Sequence, residues 1–83
     1  MIHKIYSVFD SKSEAHSLPF YQQHEGQALR TFSDWVNDPV TPYSKHPSDY
    51  TLFSLGEYDD VTGAFSQDKI NSLGNGLQFK TEE

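Results

Sequence analysis

Apolar residues crowd the first positions of the chain without a helical period: Ile2, Ile5, Tyr6, Val8 and Phe9 fall on both alternating faces of an extended segment. A short run of this kind suits a strand covered on part of each side, so Ile2 to Phe9 is expected to be a central strand. The polar run Asp10-Ser11-Lys12-Ser13-Glu14 ends it. Ser11 and Glu14 stand at the spacing of a capping box, which predicts a brief helix that closes before Pro19. Phe20 to Gln23 then reads as a short extended segment, because Pro19 disfavours helical geometry before it and two aromatic residues follow.

From Gln27 the period changes. Ala28, Leu29, Phe32, Trp35 and Val36 recur at helical spacing, with Gln27, Arg30, Thr31, Ser33 and Asp34 between them. Gly26 can begin this helix, and Asn37-Asp38-Pro39 can end it. Pro39 to Asp49 carries three prolines and is expected to be a loop without an element of its own. Tyr50 to Tyr58 is the second strong strand, Asp59 to Gly63 supplies turn residues, and Ala64-Phe65 returns, which together predict a β-hairpin. Gly56 within it marks a bulge or a close backbone approach. Leu73, Leu77 and Phe79 suggest a last strand, Asn75 between two glycines a turn, and Thr81 to Glu83 a frayed end.

The expected fold is thus α+β: a small, mainly antiparallel sheet with one principal helix packed on one face. Residues 1–83 suffice for one domain with a small core, so association with itself or a partner is a live option. The chain has no cysteine, which excludes a disulfide framework or thiolate metal site and suits a reducing compartment. It has no signal-like apolar run and nothing near the ~20 apolar residues of a membrane span, so a cytoplasmic location is expected. Twelve acidic against six basic residues give a net charge of −6, an obstacle to phosphate binding. Six Phe, five Tyr and one Trp work the other way, since so small a core cannot readily hide them all and some rings should face a partner.

Catalytic and metal chemistry find little support. His3, His16, His24 and His46 form no pair at helical ligand spacing, and no cofactor motif is present. Glu57, Asp59, Asp60 and Asp68 could attract a hard divalent cation, although a solvated hairpin turn explains them more simply. No glycine-flanked nucleophile or phosphate-cradling Gly-Lys loop occurs, so a noncatalytic protein is expected. The sharper constellation is Arg30 on the helix with Tyr43, Lys45, His46 and Tyr50 on the loop and strand entry. Rings that stack on bases and cations that meet phosphates are the usual equipment for single-stranded nucleic acid. Lys12 is a further candidate phosphate contact. The plainer alternative puts Tyr50 in the core and pairs Arg30 with Asp34, four residues on.

The same blocks carry a family likeness: SVFDSKSE at Ser7 to Glu14, Pro19-Phe20, GQALR at Gly26 to Arg30 with Phe32, and Val36-Asn37-Asp38. It continues through KHPSDYTLF at Lys45 to Phe53, LGEYDD at Leu55 to Asp60, and TGAF at Thr62 to Phe65. This order resembles the small nonstructural protein of gokushovirus-type microviruses, phages with circular single-stranded DNA genomes. The resemblance implies a role in genome replication in the host bacterial cytoplasm, associated with single-stranded DNA during synthesis of genomes for packaging. Viral replication proteins are then possible partners. The acidic charge favours a second reading, a protein-interaction adaptor that touches the replication initiator or a capsid precursor without meeting DNA.

Overall fold

The computed structural model describes residues 1–81. Two long antiparallel strands form its centre, β1 (Ile2–Asp10) and β4 (Tyr50–Asp59), paired along their whole length from Ile2 opposite Asp59 to Asp10 opposite Tyr50. Each carries two short strands on its outer edge. β2 (Ala15–His16) and β3 (Phe20–Gln22) line β1, while β5 (Phe65–Ser66) and β6 (Asn71–Asn75) line β4. All pairings are antiparallel, and the central strand, the hairpin and the single covering helix stand as the sequence predicts.

The breaks in the outer strands have local causes. Pro19 has no amide to donate, and in the gap before it Ser17 takes over the edge of β1: its amide donates to the Val8 carbonyl at 2.8 Å and its hydroxyl accepts from the Val8 amide at 3.0 Å. On β4, register shifts by one residue at Leu55, so Ile5 faces Gly56 and Tyr6 faces Ser54. Gly56 serves both of the roles expected of it. Its φ of 155° lies where L side chains are strained, and a Cβ there would collide with the Ser66 carbonyl of β5.

The helix α1 (Glu25–Asn37) begins one residue before Gly26 and ends where Pro39 requires. Gln27 reaches back to accept from the His24 amide at 3.2 Å, and Glu25 sets a negative charge in the first turn. Ala28, Phe32 and Val36 form its fully buried stripe against Tyr6, Val8 and Leu52 of the sheet. Two of its C-terminal carbonyls find side-chain donors: Lys80 Nζ donates to Val36 O at 3.3 Å, and Asn37 Nδ2 donates to Ser33 O at 2.8 Å and also to Phe79 O at 2.9 Å.

Four local expectations need correction. Ser11 to Glu14 is a tight turn and not a helix, because the Asp10 carboxylate accepts from the Lys12 amide at 2.9 Å and Glu14 leaves helical space at φ 57°. Pro39 to Asp49 is not a loop alone but holds short elements of its own. Thr41 caps a one-turn helix α2 (Pro42–Lys45) by accepting from the Ser44 amide at 3.2 Å, and a 3₁₀ turn follows at Pro47–Asp49. The proline φ that reads as a breaker suits the first position of a helix. The expected last strand ends at Asn75, so only Leu73 lies in it; Asn75 caps a short helix α3 (Gly76–Phe79) that carries Leu77 and Phe79. Of the expected frayed end, Thr81 is held by Asn37 Oδ1 through its amide at 2.8 Å, and residues 82 and 83 lie outside the described residues. Among the described residues, no helix is long and apolar enough to cross a membrane.

Candidate functional site

Because successive side chains of a strand point to opposite faces, the sheet divides the aromatic residues into two sets. Tyr6, Val8, Tyr50 and Leu52 turn toward α1 and belong to the core or pack against it. His3, Ile5, Ser7 and Phe9 of β1 turn away, and the register puts Tyr58, Gly56, Phe53 and Thr51 of β4 opposite them on that second face. No helix covers it.

Two groups of rings stand on this face. At one end Phe9, His16 and Phe53 meet, with centroids 4.9 Å apart for Phe9 and His16, 5.3 Å for His16 and Phe53, and 6.1 Å for Phe9 and Phe53. Buried Ser7 orients the imidazole through a 2.7 Å hydrogen bond between its Oγ and His16 Nδ1. At the other end Tyr58 lies 4.8 Å from Phe65 and 6.3 Å from Tyr21. Tyr21 is 45% exposed and Phe65 67%. Beside this second group are two shallow depressions, one lined by Ile5, Tyr21, Leu55 and Phe65 among others, the second by His3, Tyr21 and Tyr58.

The charges are distributed unevenly. None of the strand side chains turned to this face is a carboxylate. Asp60 touches it only at its rim, where it meets His3 Nε2 at 2.7 Å and the Met1 ammonium at 2.9 Å. Those two partners, the ammonium first, hold the Asp60 carboxyl below the usual carboxylate range, and Asp60 in turn raises the ammonium. Glu57 pairs with Lys4 across the strands on the helix side, where Glu25, Asp68 and Lys69 line a common cleft with them. The acidic residues of the hairpin are thus divided between that cleft and the Asp60 clasp. Among the described residues, no three His, Asp or Glu side chains group to hold a metal ion.

The residues singled out from the sequence fall in a different place. Tyr43 and Tyr50 do meet, at 4.7 Å and edge to face, but Tyr43 also stacks on Trp35 at 5.8 Å and lies beside Phe32, so both rings serve as packing. Burial, followed by the nearby charges of Asp10 and Asp49 and the Tyr43 phenol, pushes the Tyr50 phenol up. Lys45, in the last turn of α2, and His46, which closes it, are exposed. Lys12 is exposed on a turn tied to the same loop, since the Ser11 amide donates to Asp49 O at 2.9 Å. Arg30 stands apart: two residues from Ala28, it lies on the outer side of α1 at 100° per residue, and among the described residues it forms no ion pair with Asp34.

Sequence reasoning therefore missed Phe9, His16, Tyr21, Phe53, Tyr58 and Phe65 as a set. The signal available was the surplus of rings together with the two-sided apolar pattern of β1; only strand pairing brings the six together. No curated protein and no solved structure matches the chain. A model of the family described as Phage ORF5 protein matches residues 3–79, which takes in every ring of both groups, and the chain therefore belongs to the Phage ORF5 protein family.

Proposed function

We propose that this phage accessory protein is a noncatalytic factor in viral genome replication that associates with single-stranded DNA in the host bacterial cytoplasm. The resemblance to the gokushovirus-type nonstructural protein points the same way. The observation that carries the reading is the helix-free sheet face, which offers partly exposed rings and no strand carboxylate. Unpaired bases present flat π faces to such a surface, whereas paired bases in a duplex keep theirs stacked inside. This arrangement bears on the objection raised by the charge of −6, because Asp60 lies at the rim and Glu25, Glu57 and Asp68 line a cleft on the other side of the sheet. Lys12, Lys45 and His46 are then peripheral cations for phosphates, with Tyr43 and Tyr50 as the packing beneath them.

The net charge also favours a second reading, an adaptor that binds the replication initiator or a capsid precursor and never meets DNA. Titration against single-stranded and duplex DNA at two salt concentrations separates the two. The DNA reading expects preference for the single strand and a shallow dependence of log affinity on log salt, with a slope of roughly −1.4 to −2 for two or three phosphates neutralised. Absence of binding even at low salt would hand the function to the adaptor.

A further inference from the structure

Resting on that reading, we propose that the helix-free face holds unpaired DNA bases at two stacking stations, so that its minimal ligand is a single strand of about four or five nucleotides. Phe9, His16 and Phe53 build one station; Tyr21, Tyr58 and Phe65 build the other. Across the sheet Phe53 lies opposite Ser7 and Tyr58 opposite His3, a separation of four residues along β1. At a rise of roughly 3.4 Å per residue the stations are about 14 Å apart. A stacked single strand advances about 3.4 Å per nucleotide, so about four steps connect them, and fewer if the strand is stretched.

Bases fit this face better than a second copy of the chain does. Tyr21, Tyr58 and Phe65 line open depressions instead of forming a continuous apolar plate, and Ile5 and Leu55 line one of these depressions. Flat rings of any base can enter such slots from solvent, which makes the contact tolerant of sequence. The orientation of His16 by Ser7 holds one stacking surface in place before the ligand arrives, which lowers the ordering cost of binding.

The test uses the full chain and labelled oligodeoxythymidylates of increasing length, read by fluorescence anisotropy. Affinity should rise steeply up to about four or five nucleotides and then level off. A strand of the same length and charge with abasic sugars should bind at least ~10-fold more weakly, because stacking has been removed while the phosphates remain. Tyr21→Ala and Phe65→Ala should each weaken binding about 10-fold. Both rings are too exposed for either change to move the melting temperature much, and Phe65→Trp should restore affinity. Equal binding of the abasic strand overturns the proposal. So does loss of affinity on changing Lys45 and His46 to Ala while the two ring variants bind normally, an outcome that keeps the DNA function and moves its site. Sedimentation in which the ring variants break a dimer at unchanged DNA affinity assigns the face to a second copy and overturns the proposal too. Failure of the unaltered protein to bind any oligonucleotide removes the proposed function itself.

Discussion

At the scale of single residues, small polar side chains decide where the backbone turns. The Asp10 carboxylate accepts from the Lys12 amide at 2.9 Å, and this contact, with those to Ser13 and the charge of Lys12, holds its carboxyl below the ordinary 3.8 against the opposing effect of desolvation. A carboxyl depressed in the folded state adds stability that is complete above its unfolded value, near pH 4, and is lost as pH falls through the lower folded value. Asp10→Ala should therefore melt earlier than the unaltered protein at about pH 6, with the difference shrinking as the pH approaches about 2. Thermal melts of both proteins across that range check it; a constant gap would mean that the carboxylate charge contributes nothing to the turn. Lys12 owes its position to this same contact, although nothing in its own side chain marks it as part of a turn.

At the scale of elements, α1 is the piece that makes the sheet one-sided. Phe32 is fully buried at its centre, 5.3 Å from Phe79 of α3 and 6.4 Å from Tyr43 of α2 by ring centroids. It therefore joins all three helices, and Phe32→Ala should destabilise by roughly 3 kcal/mol, the usual loss for an emptied aromatic site. Denaturant unfolding measures this directly, and an unchanged midpoint would place the ring outside the core. The short helices have little stability of their own. They are held by tertiary contacts: Lys80 Nζ donates to Ser44 Oγ at 2.7 Å, and Gly76 sits so close to the Pro47 carbonyl that a Cβ would collide with it. That dependence explains why proline spacing alone misread Pro39 to Asp49 as a loop.

At the scale of the whole molecule, the helix side and the helix-free side offer opposed surfaces. The helix-side cleft mixes Lys4 and Lys69 with Glu25, Glu57 and Asp68, whereas the other side is aromatic. Lys45 and His46 lie at one end, exposed and outside the core. Changing both to Ala should leave the melting temperature nearly intact and weaken binding to single-stranded DNA by only a few-fold, as expected of peripheral phosphate contacts on a surface whose main hold is stacking. Calorimetry beside the anisotropy titration separates these effects. A drop in melting temperature without a change in affinity would make the α2 loop purely structural.

The sequence by itself determined the α+β class, the two long strands, the single long helix and the hairpin, because hydrophobic period and turn residues act over short stretches of chain. It also announced a surplus of rings. Which rings lie together was decided by the tertiary structure. Phe9 and Phe53 are far apart in the chain and meet only through the register of β1 on β4, and the bulge at Leu55 carries Tyr58 onto the same face. Tyr43 looked free because loops commonly carry function, yet it packs against Phe32 and Trp35, and Tyr50, for which a core position was the plainer alternative, meets Tyr43 edge to face against the core. Strand register depends on partners from distant parts of the chain, and a one-residue shift exchanges the two faces. For that reason the local pattern shows that aromatic residues exceed the core, while only the folded sheet determines which of them meet solvent.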